Sequence, residues 1–429
     1  MNRFTYIYLF FIVFLVSSIA GEQKAWGLTK KAQEIYKEYQ QSIYQIQIID
    51  INSNEKSVIG SGFKISKKGL IATNYHVISD VVEKPERYRI EFHQDGKSLG
   101  KLTIGTLDVA HDLAILQGDK NEIPILSLGS SKMSKGDRVF PMGNPRDLGM
   151  TIIEGTYNGL VGDEHYQHIL LSASLNGGMS GGPAFDSNGK VVGVNVSIQG
   201  NALSYLVPVE YLQSLVEELD KNPGAKDWHK IIQDQVLKKH EILIGKISKA
   251  KWTYENFGSL KVPHKIGLKF LKCWGNSELE DIKEERFYSE GSKWCESENR
   301  IYLSSKLRTG TIGYSITKLE SEILNPLQFY EVYSSEFSNR YFYSSAKEKD
   351  VHEFECNSHF VRIAERDWKG VYCVRQYKKL PKLHDTFLAF AALGESDHGY
   401  LIRIGLSGID EKLSGIFLRK FLGGIQWIE

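Results

Sequence analysis

The sequence predicts an all-β first half, an antiparallel barrel or sandwich with short helices at its ends, followed by a second, mainly β half with some helix. Between Ser57 and Pro208, short apolar segments are broken by glycines and by turn pairs such as Asn188-Gly189, the rhythm of antiparallel hairpins. Asn222-Pro223-Gly224 then forms a triplet that no helix continues through, and all four cysteines lie beyond it. A length of 429 residues exceeds what one hydrophobic core usually organises, so two folded units are expected, 21–222 and 223–429.

The elements follow in chain order. Residues 1–20 combine a positive charge at Arg3, an apolar run from Phe4 to Val16 and small residues around Ser18-Ile19-Ala20, the pattern of a cleavable secretory signal. The alternative is an uncleaved anchor, but the run falls short of the ~20 apolar residues that a spanning helix needs. No cysteine stands near the cleavage site to accept a lipid, and no later stretch is apolar enough to span a bilayer. The expectation is export, to the periplasm or the medium, with no membrane span in the mature chain. Ala32, Ile35, Tyr36, Tyr39 and Ile43 then recur at helical spacing, after which Tyr44, Ile46 and Ile48 alternate with Gln45 and Gln47 as in a strand. Helical spacing returns from Val209 to Leu219 and from Trp228 to Leu237, and a closing helix is expected near Glu411 to Leu422. Lysine plus arginine (53) nearly cancels aspartate plus glutamate (52), so neither nucleic acid nor an anionic membrane surface is an expected partner.

Three segments of the first half carry chemistry. In GSGFKISKKGLIATNYHVISD an apolar strand from Leu70 to Ala72 ends at Thr73 and delivers His76 into the following turn. In DVAHDLAIL, Asp112 opens an apolar strand, where a carboxylate can be buried and still accept a hydrogen bond. In LNGGMSGGPAF, glycines surround Ser180. A serine hydroxyl is a poor nucleophile at neutral pH and needs an adjacent base titrating near working pH, which imidazole supplies. The imidazole needs a buried carboxylate on its far side to hold its tautomer and stabilise its cation. A tetrahedral intermediate needs converging backbone N–H groups, and glycines allow the tight turn that exposes them. His76, Asp112 and Ser180 are therefore the candidate triad, and the amides of Gly178 and Ser180 the candidate oxyanion donors. A lone histidine or aspartate of this kind is a weak signal; a serine ringed by so many glycines is a specific one, because a mere connector has no use for them. No cofactor and no metal is implied.

With these motifs, the region from about Ser42 to Leu219 resembles the trypsin-like serine proteases of the chymotrypsin fold, and most closely the protease domain of bacterial Deg or high-temperature-requirement proteases. FPMGNPRDLGMTIIEGTYN (140–158) and GVNVSIQGNALSYLVPV (193–209) are similar to the segment before the nucleophile and to the substrate-binding strand with its return. The resemblance implies two six-stranded antiparallel barrels with the triad between them, and peptide hydrolysis through an acyl-enzyme. It implies that Ser197, Ile198 and Gln199 pair with an extended polypeptide substrate, above a pocket lined by Ser174, Leu175 and Gln199. No acidic residue stands at the matching base of that pocket, so small or medium apolar side chains are expected on the acyl side of the cleaved bond. Met179 replaces the aspartate that digestive relatives carry before the nucleophile, so an activating salt bridge to a newly cut N-terminus is not expected. Two other readings are a secreted binding protein with an inactive protease-like domain, and a Deg-like quality-control protease and chaperone. Nothing in the sequence requires an oligomer.

The second half does not declare its role. Cys273, Asn276, Ser277, Glu285, Arg286 and Cys295 run in the same order as Cys356, Asn357, Ser358, Glu365, Arg366 and Cys373, as an internal duplication of 271–345 and 354–406 would leave them; chance similarity between aromatic-rich β segments is the alternative. In an exported chain without a close Cys-x-x-Cys pair, disulfides are expected rather than zinc. Of the three pairings available, the repeat favours Cys273–Cys295 and Cys356–Cys373, each contributing on the order of 3 kcal/mol by the chain-entropy estimate. No PDZ domain is recognisable; Ile266-Gly267-Leu268-Lys269-Phe270, faintly like a carboxylate-binding loop, is equally a strand edge.

Overall fold

A computed structural model describes residues 27–428 apart from 120–122, 164–165, 199–201, 225, 269–270, 278–286, 298–299, 305 and 340–343. The expected signal segment, Gln199, Lys269, Phe270, Glu285 and Arg286 lie outside the described residues.

Helix α1 (Gly27–Tyr39) leads into β1 (Ile43–Asp50), β2 (Glu55–Lys64) and β3 (Leu70–Thr73), then helix α2 (Tyr75–Glu83), β4 (Tyr88–Gln94), β5 (Lys97–Asp108) and β6 (Leu113–Gln117). These six strands close into a barrel in the order β1-β2-β3-β6-β5-β4. Strands β7 (Arg138–Gly143), β8 (Thr151–Ile152), β9 (Gly155–Asp163), β10 (Tyr166–Ser172), β11 (Pro183–Phe185), β12 (Val191–Ile198) and β13 (Ser204–Pro208) form the order β11-β12-β13-β10-β9-β7-β8. Pairing of β11 with β7 closes six of them into a second barrel, and β8 adds a short rung. This is the double antiparallel barrel of the chymotrypsin fold. Tyr44, Ile46 and Ile48 fill the first barrel, as the alternation requires. Their polar neighbours Gln45 and Gln47 are buried as well: they hydrogen-bond one another, and Gln45 donates to Asp147 on the second barrel at 2.7 Å. The polar face of β1 thus meets the other barrel rather than water.

Helix α3 (Val209–Lys221) ends directly before Asn222-Pro223-Gly224. Helix α4 (Trp228–Lys249), capped by the Asp227 carboxylate, runs twelve residues beyond Leu237, the end expected from its spacing. Its continuation buries Leu243, Ile244 and Ile247 together with the polar Lys239 and His240. Beyond it come β14 (Thr253–Phe257), β15 (Leu260–Lys265), β16 (Leu271–Ser277), β17 (Ser289–Ser297), a small hairpin of β18 (Ile301–Tyr302) and β19 (Arg308–Thr309), then β20 (Ile312–Glu320) and helix α5 (Pro326–Ser338). The chain ends with β21 (Glu355–Ile363), β22 (Arg366–Gln376), β23 (His384–Ala392), β24 (His398–Ile409), helix α6 (Glu411–Gly423) and β25 (Gln426–Trp427). An antiparallel sheet, β16-β17-β20-β24-β23-β22-β21, organises this half. One face packs on α4 and α6 through Trp252, Ile316, Leu388 and Phe421; the other packs on α5 through Phe329, Tyr333 and Phe387. Disulfides join Cys273 to Cys295 and Cys356 to Cys373, each between directly paired strand residues, in hairpins at opposite edges of the sheet. Ile266 is buried in the sheet's core, so its side chain is a packing residue.

The two halves share apolar packing. Ile232 and Val236 of α4, with Ile301, Leu303, Tyr377, Leu380 and Leu383, form one buried cluster with Tyr75, Ile78 and Val109 of the first barrel. No described helix is long and apolar enough to cross a membrane.

His240, buried in α4, is expected to make the fold acid-sensitive. Neither ring nitrogen has a hydrogen-bond partner; burial, then the Lys239 charge, pushes its pKa down to about 3. Because the folded value lies below the ordinary 6.5, its contribution to stability is complete above pH 6.5 and is lost as pH falls toward 3. Denaturant unfolding of His240→Leu against wild type should show a stability gap that shifts in the variant's favour by about 2–3 kcal/mol between pH 7 and pH 4.5.

Candidate active site

Asn74 is the N-cap residue between β3 and α2, so the turn after β3 that carries His76 is the first turn of a helix. The rest of that turn is anchored. Tyr75 is fully buried and its hydroxyl donates to the Leu303 carbonyl, while Val77 and Ile78 are buried beside it. His76 remains part-exposed between them.

Asp112 is buried and faces this turn directly. Its carboxylate accepts from the His76 backbone N–H at 2.9 Å and from His76 Nδ1 at 2.6 Å, and its carbonyl accepts from Tyr75 N–H and from Asn74 Nδ2. Four contacts thus bind one residue to three consecutive ones. The backbone of Asp112 is left-handed (φ 58°), a conformation that aspartate tolerates better than most side chains. Because a carboxylate can only accept, Nδ1 must carry the proton, which places the lone pair of a neutral ring on Nε2, away from Asp112.

The Ser180 loop is held through its carbonyls. Gly177 O accepts from Arg146 N, Gly178 O from Ser61 Oγ, Met179 O from Gly182 N and Asn195 Nδ2, and Ser180 O from Ser61 N. In a trans peptide the N–H points opposite to the preceding C=O. Fixing Gly177 O and Met179 O therefore turns the N–H groups of Gly178 and Ser180 away from these anchors. Two glycines are sterically required. At Gly178 (φ 96°) a Cβ would fall 2.4 Å from Asn144 O, and at Gly181 (φ 85°) 2.2 Å from Ser61 O. That same Cβ on Gly181 would lie 3.0 Å from Asn74 N, and one on Gly60 would touch both Val77 and Ser180 O, so the serine loop packs directly on the turn that bears His76.

The Ser180 hydroxyl does not donate to His76. It donates to Val196 O at 2.8 Å. Val196 is the bulged residue of β12, skipped where the pairing passes from Asn195↔Leu206 to Ser197↔Tyr205, and its carbonyl is thereby free. Ser197 and Ile198 lie in this same strand. Ser174 is exposed, whereas Leu175 is buried with Met179, Ala173 and Tyr157 in the core of the second barrel. The Leu175 side chain thus packs among apolar side chains of the second barrel, three residues beyond the end of β10. Met179 is fully buried in the same apolar cluster, surroundings that would leave a carboxylate unpartnered.

Residues with no local signal in the sequence join the site. Lys239 of α4 is buried behind Asp112; its Nζ donates to Ala110 O and lies 4.3 Å from the centre of the Tyr166 ring. Burial pushes its pKa down to about 8 against the opposing pull of Asp108 and Asp112. Tyr302 sets its ring 5.4 Å from the His76 ring. Asn74 was legible in principle, since a polar residue between a strand and a candidate base is where a cap falls. Among the described residues no three His, Cys, Asp or Glu side chains stand together as a metal site.

The model of the "Trypsin-like peptidase domain" family matches residues 60–194. This part of the chain is a trypsin-like peptidase domain. Proteins similar to it include a probable periplasmic serine endoprotease, DegP-like, of Bartonella henselae, 38% identical over 181 residues that cover 39% of this chain and 35% of the relative. A protein of the same description from Rickettsia prowazekii is 34% identical over 193 residues, covering 41% and 36%. The chain thus spans about a third of the length of these relatives. A crystal structure of the serine endoprotease from Yersinia pestis aligns with a TM-score of 0.39 and 23% identity, covering 44% of this chain and 67% of that one. The matched part of the peptidase domain runs from Gly60 in β2 to Val194 in β12 and so includes His76, Asp112 and Ser180.

Proposed function

We propose that the chain is an exported serine endopeptidase that hydrolyses polypeptides through His76, Asp112 and Ser180. The observation that carries this reading is the Asp112–His76 pair, doubly hydrogen-bonded, together with a serine loop whose Gly177 and Met179 carbonyls are anchored on the side away from the Gly178 and Ser180 amides. Rotation of the Ser180 hydroxyl from Val196 O to His76 Nε2 completes the relay; such hydrogen bonds commonly tighten only when substrate is bound. Ser180 Oγ then attacks the scissile carbonyl as His76 Nε2 takes its proton, and the two amides hold the oxyanion. The imidazolium returns that proton to the leaving amine, and a water repeats the sequence on the acyl-enzyme, restoring the free serine and releasing the new carboxyl group. Asp112 stays ionised throughout. The substrate backbone pairs along Ser197, Ile198 and Gln199, with the preceding side chain directed toward Ser174.

Removal of 1–20, a folding boundary near 222 and an ancestral duplication within 271–406 complete the reading. The periplasmic descriptions of the relatives support export. With Met179 buried in an apolar cluster, activity needs no internal cut. A fluorophosphonate probe should label Ser180 in signal-processed protein, and chromogenic peptides with alanine or valine on the acyl side should be cleaved at least tenfold better than those with arginine. Absence of labelling would instead identify a binding protein, and cleavage favouring arginine would overturn the apolar preference.

A further inference from the structure

The second half of the chain reaches the catalytic histidine through one hairpin. Its strand β18 carries Tyr302, whose ring lies 5.4 Å from that of His76 at an interplanar angle of 37°. On either side, Ile301 and Leu303 are buried against Tyr75, Val77 and Ile78, and Leu303 O holds the Tyr75 hydroxyl at 2.8 Å. The hairpin is also fixed from behind. Thr309 Oγ1 donates to Ser407 O, Ser345 Oγ bonds both the N–H and the carbonyl of Arg308, and the Arg308 guanidinium sits 4.8 Å over the Tyr302 ring. Tyr302 is thus a seated wall, with a cation stacked on its ring.

What faces this wall follows from strand geometry. A substrate extended along β12 alternates its side chains. If the residue at the attacked carbonyl directs its side chain toward the second barrel, the residue before it directs its own toward the first barrel and the His76 ring. We propose that Tyr302 is a specificity-determining residue: it limits the space over the His76 imidazole and restricts the residue before the cleaved position to small side chains. The proposal rests on the endopeptidase reading of His76 and Ser180, and it assigns the second half a share in building the cleft.

The test uses the full chain and two peptide series differing only at that residue, glycine or alanine against leucine or phenylalanine, alongside fluorophosphonate labelling of Ser180. Wild type should favour the small residues. Tyr302→Ala should raise kcat/KM for the large ones tenfold or more relative to the small ones, with Ser180 still labelled by the probe. Tyr302→Phe should keep the wild-type ratio, and Arg308→Ala should shift it in the same direction by a smaller factor. Labelling and cleavage with an unchanged ratio in Tyr302→Ala overturn the wall but leave the endopeptidase standing. An equal fall for every peptide shows a structural role and overturns it too; a wild type that neither labels nor cleaves removes both readings.

Discussion

Ser180→Ala should abolish cleavage of unfolded casein, with turnover falling by several orders of magnitude, while the protein keeps its melting temperature to within a few degrees. The two outcomes separate because the hydroxyl contributes so differently to each. In the resting structure it makes one neutral hydrogen bond, to Val196 O, worth about 1 kcal/mol, and the residue is part-exposed. In the proposed mechanism it is the atom that forms the acyl bond, and no neighbouring group replaces it. The loop itself is held by the carbonyls of residues 177–180 and by two glycines with left-handed backbones, none of which the substitution touches. The residual rate should be that of an oxyanion site without a nucleophile. Wild-type-like hydrolysis by Ser180→Ala, in protein free of contaminating protease, would remove the catalytic reading altogether.

The parts of this molecule that were legible in the sequence are those specified locally. Short alternating segments and turn pairs predict β-structure, and Asn188-Gly189 does so because Gly189 adopts φ 76°. The glycines around Ser180 were readable for the same reason: Gly178 and Gly181 stand where any Cβ would strike backbone. What escaped depends on partners distant in the chain. Alternation in β1 shows that Gln45 and Gln47 face away from Tyr44 and Ile46, but not that a second barrel waits there. The polar run from Lys238 to Glu241 reads as the end of a helix; α4 continues because Lys239 finds the Ala110 carbonyl 129 residues away. Tyr302 is the extreme case. Its neighbour Leu303 meets Tyr75 across 228 positions, and no periodicity or spacing within β18 reports a destination outside its own half. The Ser180 rotamer was equally unreadable, since it follows from a bulge at Val196 that frees one carbonyl.

Asp112→Asn should lower kcat by about 10⁴ and leave the fold intact. Asparagine occupies left-handed backbone as readily as aspartate, and the Asp112 carbonyl that accepts from Tyr75 N–H and Asn74 Nδ2 is retained, so the turn keeps its shape. The side chain is where the change bites. The carboxylate presents one oxygen to the His76 N–H and the other to Nδ1. An amide has a single acceptor oxygen for those two donors. If its oxygen serves the backbone N–H, its NH₂ group faces Nδ1, and the ring must move its proton to Nε2, the nitrogen that has to accept from Ser180. If the oxygen serves Nδ1, the NH₂ group opposes the His76 N–H and the ring loses the charge that stabilises its cation. Either arrangement disables the base without removing it, so fluorophosphonate labelling should slow in parallel with kcat while KM changes little and thermal melting stays close to wild type. A loss smaller than tenfold would show that the 2.6 Å contact between Asp112 and His76 is structural, and that the base draws its proton affinity from elsewhere.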